Sequence, residues 1–166
     1  VLVVDDGSAD DTAAVVEAVT GELGNVRLLR QPRNQGKGAA VRAGIAASQG
    51  DIVVIQDADL EYDPRDLPKL LAPLLEGVAD VVYGSRLRGG EPQRAHLFWH
   101  YAGNRFLSLL TNVLYNTTIS DMEVGYKAFR GELIRSIHLV SNDFRFEPEV
   151  TAKILKRRDI RLYEIP

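Results

Sequence analysis

GDIVVIQDADLEYDP, residues 50 to 64, is the stretch on which the fold turns. Ile52 to Ile55 is a short, uniformly apolar and β-branched run with no polar face, the pattern of a strand covered on both sides. Two carboxylates follow at once, Asp57 and Asp59, separated only by the small Ala58. Pro64 then sits in the first turn of a helix running to about Leu75. A buried strand, an acidic turn and a helix make one unit of an alternating chain.

The same alternation continues outward from this stretch. Upstream, Val1 to Val4 reads as a buried strand ending at Asp5 and Asp6, with a turn at Gly7 and Ser8. Asp10 to Leu23 carries Ala14, Val15, Ala18 and Val19 at helical spacing, and Val26 to Leu29 is the next strand. Asn34 to Gly38 is a glycine-rich turn, and Ala39 to Ala47 a helix of small residues suited to close packing on a sheet. Downstream, Val78 to Tyr83 is a fourth strand, closed by Gly84, Ser85 and Arg86. Strands of this kind alternating with helices predict an α/β fold: a mostly parallel, Rossmann-like sheet with helices on both faces. The acidic and glycine-containing segments all follow the carboxyl ends of strands, the edge at which open α/β sheets bind ligands.

The second half is less regular. Residues 87–95 form a polar glycine-proline loop, and Leu97 to Tyr115 a long apolar helix with aromatics at its start. Asp121 to Phe129 reads as a strand or turn-strand, Pro148 to Lys156 as a helix and Ile160 to Ile165 as a last strand. No repeat or linker divides residues 1–166, so a single domain is expected. Both ends lie in strand-like runs, which points to a fragment cut at each end.

Composition narrows the partners. With 45% hydrophobic and 26% charged residues the chain can bury a core, and a net charge of -3 offers no general attraction to nucleic acid. The absence of cysteine excludes disulfides, thiolate metal sites and a cysteine nucleophile. No window of 18 apolar, uncharged residues exists to span a bilayer.

The paired carboxylates carry the first chemical hint. Asp57 and Asp59 bring two hard oxygen donors toward one point, and Mg²⁺ or Mn²⁺ favours carboxylates combined with substrate phosphates and water. The bland alternative is an acidic turn whose aspartates cap a helix. Asp6, in VVDDGSADDT, is free to accept from a nucleobase N–H, while Ser8, Asp10 and Asp11 serve as caps. Asn34 to Gly44 fails the spacing of a phosphate-binding loop and reads as a tight turn with a packing helix, Lys37 adding positive potential. Arg86 can clamp a phosphate or form a surface ion pair with Asp80 or Glu61. Arg94, His96, His100 and Arg105 add cationic character nearby, without a metal-ligand spacing.

VVDDGSADDT, NQGKGAAVRAG, GDIVVIQDADLEYDP, ADVVYGSR, DMEVGYKAFR and FEPEVTAKILKR, in this order, resemble family 2 glycosyltransferases of GT-A fold along the whole chain. Within that family they look like dolichyl- or polyprenyl-phosphate sugar synthases. The resemblance implies that Val4 and Asp6 meet the nucleotide base. It puts Asp57, Ala58 and Asp59 at the diphosphate and metal, Glu61 at a third metal position, Arg86 at phosphate, and Asp121 near the acceptor. It also implies a strand ahead of residue 1 and a basic segment after residue 166. A receiver-type phosphoacceptor domain also pairs an acidic first strand with an aspartate after the third. It lacks a place for the second half of this chain and expects a Lys-Pro pair that is absent.

The expected activity is metal-dependent, inverting transfer of a hexose from a UDP- or GDP-sugar to a polyprenyl phosphate, at the cytoplasmic face of a membrane. A phosphate acceptor is largely ionised near neutral pH and chiefly needs positioning and cationic guidance, here assigned to Arg86, Arg94 and His100. A saccharide hydroxyl acceptor would instead need a base, Asp121 or Glu147. A regulatory nucleotide-sugar binder is the non-enzymatic alternative. The aromatics of the long helix are expected mainly to fill the core, with Trp99 the candidate for membrane contact.

Overall fold

The computed structural model describes residues 1–59, 62–85 and 98–166. The chain runs β1 (Leu2–Asp5), α1 (Thr12–Glu22), β2 (Arg27–Arg30), α2 (Lys37–Ala47), β3 (Ile52–Ile55), a 3₁₀ turn (Pro64–Asp66) and α3 (Leu67–Leu75). It continues β4 (Val81–Gly84), α4 (Phe98–Tyr115), β5 (Lys127–Arg130), α5 (Gly131–Ser136), α6 (Phe146–Leu155) and β6 (Leu162–Ile165). Asp63 starts the Pro64 turn by accepting from the amide of Arg65, so the helix begins where proline fixes the backbone.

The strands form two hydrogen-bonded groups. β1 and β2 pair in parallel, Val4 opposite Leu29. The other four lie in the order β3-β5-β4-β6. β3, β4 and β6 run one way, and β5 lies antiparallel between β3 and β4, with Val53 and Val81 each opposite Phe129. The sheet is therefore mostly parallel, as expected, with one reversed strand that local sequence does not announce.

The core sits under this larger group. Val81, Val82, Tyr83, Ala128 and Phe129 have no exposed surface, and Leu70, Ile134, Phe146, Val150 and Ile154 close over them. β1 is not the fully buried strand its sequence suggests: Val1 is 76% exposed and, within the strand, only Asp5 is buried. α1 buries only Ala13. The fourth strand starts at Val81 rather than Val78, because Gly77, with φ +74°, turns the chain after α3. The short α5 follows β5 directly, with Glu132 in its first turn and Arg135 in its last, both favourable to the helix dipole.

α4 reverses the expectation for its aromatics. Phe98, Trp99, Phe106, Leu109, Val113 and Leu114 are exposed, Trp99 by 80%. The inward face is polar and is used up by one loop. Asn104 donates to Asp121 at 2.6 Å, and Ser108 accepts from the amide of Met122 at 3.1 Å. Asn112 bonds both the amide and the carbonyl of Ile119, at 2.8 and 2.9 Å. Burying these amides and hydroxyls is tolerable because each is satisfied, and it forces the apolar stripe outward.

Candidate functional site

The carboxyl end of β3 delivers Asp57 and Asp59. Asp57 is half-buried, and its Oδ2 receives the ammonium of Lys37 at 2.9 Å. Its other wall is Gly125: a methyl group there would lie 2.6 Å from Asp57 Oδ2 and 2.8 Å from the Tyr62 ring. Tyr62 in turn accepts from the Gly125 amide at 2.8 Å and packs on Tyr126 with ring centroids 4.5 Å apart. Asp59 and Ala58 are exposed.

Lys37 opens α2, with a glycine on each side for a steric reason. Gly36 has φ +97° and would meet the Asn142 carbonyl, and a Cβ at Gly38 would lie 2.5 Å from the Ser141 carbonyl. The turn is thus pressed against the 141–143 loop, and Lys37 reaches both Asp57 and, at 2.7 Å, the buried Glu147 of α6. The Phe144 ring lies 5.8 Å from the same ammonium, within cation–π range. Burial works against the charge on Lys37, but Glu147 and Asp57 outweigh it and hold its pKa above the ordinary lysine value. Glu147 keeps its second oxygen, Oε2, buried without a hydrogen-bond partner among the described residues.

Lys127 of β5 lies in the core beside this group. It donates to the Val124 carbonyl and sits 4.8 Å from the Tyr83 ring centroid. Burial pulls its pKa down to about 8, against the opposing charges of Glu147, Asp121 and Asp57 and with help from Lys37. Lys127 therefore links the Asp57 side of the site electrostatically to Asp121, which is fully buried. The Asp121 loop is fixed by Asn104 and by Glu164 of β6, whose carboxylate accepts from the amides of Ser120 and Asp121. Ser85, at the end of β4, bonds the Ser120 hydroxyl at 2.8 Å.

Asp6 has a structural task as well as an exposed position: its two oxygens accept from the amides of Gln35 and Gly36 at 2.9 and 2.8 Å, tying the end of β1 to the start of α2. Val4 packs toward α2, where a Cβ on Gly44 would lie 3.2 Å from its methyl group. Asp5 is buried, and hydrogen bonds from Ser8, aided by Arg30, hold its pKa below the usual carboxylate range. Asp80 pairs with Arg130 and Arg161. Glu61, Arg86, Arg94 and His96 lie outside the described residues, as does the side chain of His100.

Among the described residues no three His, Asp or Glu side chains gather as a ready metal cage. Two acidic oxygen donors beside a sheet edge nevertheless suit a hard cation that takes its remaining ligands from phosphate and water. A lysine ammonium already placed on Asp57 marks the same demand for positive charge. Sequence reasoning gave Lys37 only a diffuse role and missed Lys127. The available signals were a lysine between two glycines, and a lone lysine inside the buried run Tyr126 to Phe129.

The sequence profile of "Glycosyl transferase family 2" matches residues 1–137. The chain belongs to the family 2 glycosyltransferases, and its architecture is the GT-A fold of that family. It is 33% identical to a dolichyl-phosphate beta-glucosyltransferase of Trichomonas vaginalis, covering all of this chain and 51% of that protein. It is 32% identical to an undecaprenyl-phosphate mannosyltransferase of Micrococcus luteus, covering all of this chain and 70% of the relative. Among solved structures, glucosyl-3-phosphoglycerate synthase of Mycobacterium tuberculosis, in complex with Mn²⁺ and UDP-glucose, superposes with a TM-score of 0.70 at 26% identity. That match covers 98% of this chain and 57% of the synthase. The chain spans about half the length of most of the curated relatives it matches.

Proposed function

We propose that this chain carries the donor site of an inverting hexosyltransferase that moves a sugar from a nucleoside diphosphate to a polyprenyl phosphate at the cytoplasmic face of a membrane. The observation that carries the proposal is Asp57 at the end of β3, held by Lys37 and walled by Gly125, with Asp59 two residues on. Asp57 and Asp59 would hold a Mg²⁺ or Mn²⁺ ion, which supplies Lewis-acid neutralisation of the leaving diphosphate. Lys37 keeps a positive charge at the same carboxylate, and Asp6 positions the loop facing the nucleotide.

The acceptor class follows from what the acids are doing. Asp121 has no exposed surface and accepts from Asn104, and Glu147 is buried and pinned to Lys37. Neither is placed as an accessible base, which a hydroxyl acceptor needs and an ionised phosphate does not. The named relatives, a dolichyl-phosphate and an undecaprenyl-phosphate transferase, support the same class.

The test incubates the full-length protein with radiolabelled UDP-glucose or GDP-mannose, polyprenyl phosphate and Mn²⁺. Labelled lipid should form, and Asp57→Asn should lower its rate by about 10²- to 10³-fold, the usual cost of losing an electrostatic stabiliser. Transfer that survives a chelator removes the metal assignment. A labelled saccharide in place of a lipid product overturns the acceptor class.

A further inference from the structure

The outward face of α4 is the largest feature that the donor site leaves unused. At 100° per residue, Phe98, Trp99, Phe106, Leu109, Val113 and Leu114 fall within one arc of about 160°, and all are exposed. No charged residue lies in that arc, and no acid occurs anywhere in the helix FWHYAGNRFLSLLTNVLY. A continuous apolar face of this kind marks an interaction surface.

We infer that this face lies in the headgroup layer of a lipid bilayer, with its apolar side chains entering the acyl boundary. The inference rests on the lipid acceptor proposed above and assigns the surface that meets the membrane. Charge complementarity favours lipid over protein. The exposed Arg105 flanks the arc, and the sequence leading into the helix supplies Arg86, Arg88 and Arg94 against the single acid Glu91, a balance suited to anionic headgroups. Except for the Trp99 indole, the arc has no side chain able to form a hydrogen bond. A protein interface ordinarily has such bonds and a polar rim, whereas an acyl boundary needs none. Trp99 and Phe98, in edge-to-face contact at 5.1 Å, lie at one end of the arc, and tryptophan favours the membrane–water boundary.

The helix lies on the membrane rather than through it, since no helix among the described residues is long and apolar enough to cross one. Its thickness sets the geometry of the reaction. The opposite face carries Asn104 and the Asp121 loop, so the acceptor side of the site stands about one helix diameter, roughly 10–12 Å, above the lipid. A lipid phosphate reaches that height by rising out of the headgroup layer while its chain stays in the bilayer.

Trp99 is the only tryptophan of this chain and reports on the contact directly. The full-length protein and its Trp99→Phe variant are mixed with phosphatidylcholine vesicles, with and without phosphatidylglycerol, carrying brominated acyl chains. The difference between the two proteins isolates the Trp99 emission, which should move to shorter wavelength and be quenched, more strongly with phosphatidylglycerol. Phe106→Ser and Val113→Ser should each weaken vesicle partition by about tenfold, with nucleotide-sugar binding retained. Wild-type quenching stands as evidence even if a variant misfolds. Trp99 equally open to a water-soluble quencher with and without vesicles overturns the inference. So does Trp99 already shielded in vesicle-free protein, and sedimentation then separates a second copy from cover by the rest of the chain. Quenching without a lipid-linked product defeats the proposed reaction alone, and product formation with Trp99 unquenched defeats the docking surface alone.

Discussion

The β1–α1–β2 unit and the four-stranded sheet use equally apolar strands but hold together differently. In β4 and β5 the buried residues are aliphatic and aromatic, whereas the one buried residue of β1 is Asp5. α1 leaves Val15, Val19 and Leu23 exposed. The first unit and α2 meet the rest through polar joints: Ala39 donates to the Asn142 carbonyl at 3.1 Å, Arg42 bonds the Leu139 carbonyl and the Asn142 side chain, and Lys37 joins Asp57 to Glu147. The contrast teaches that the donor-side loops are fastened by directional bonds, and the acceptor-side scaffold by close packing. Directional bonds place groups accurately and contribute modest net stability, while packing contributes most of the stability.

The largest test of this contrast is in the core. Phe129→Ala should cost about 3–5 kcal/mol in denaturant unfolding, while Val15→Ala on α1 should stay within about 0.5 kcal/mol. Equal losses would dissolve the distinction. At the joint, Lys37→Met leaves Glu147 buried without its cation. With part of the lysine still solvated, we expect about 2 kcal/mol of destabilisation, relieved by adding Glu147→Gln. Gly38→Ala sharpens the steric half of the joint: alanine suits a helix, but its methyl would meet the Ser141 carbonyl at 2.5 Å. A net loss of about 1–2 kcal/mol is expected where an open helical glycine would gain, and calorimetry reads the sign.

The smallest effect is in acid. Burial alone would raise the Glu149 pKa, but Lys153 and the amides of Ser141 and Val140 outweigh it and bring it down to about 2 from an ordinary 4.5. Between those values the unfolded chain takes up the proton first, so stability falls as pH falls. Glu149→Gln should flatten that part of the stability–pH curve, as followed by thermal unfolding.

Several of these relations were legible in the sequence. β3 occupies the four residues expected, because β-branched residues bounded by Gly-Asp and Gln-Asp leave no other register. The acidic turn after it, and the glycines of the α2 turn, also stand where their chemistry placed them. The reversal of β5 was not legible, since a strand's direction depends on where the chain returns and not on its own pattern. The α4 periodicity revealed an apolar face but not which face points inward. That choice was made by Asp121 and the Ile119–Met122 backbone, which needed the polar face as partners. Lys37 escaped because its two carboxylates meet only in the folded chain.

The missing side chain at Gly125 bears on how the protein spends binding energy. Asp57 Oδ2 stands where a methyl group would otherwise be, with Lys37 on the same oxygen, so its rotamer is chosen before any ligand arrives. A carboxylate that must be immobilised on binding gives up side-chain freedom, and affinity falls accordingly. Here that ordering is completed during folding, and a ligand meeting Asp57 finds an oxygen already aimed.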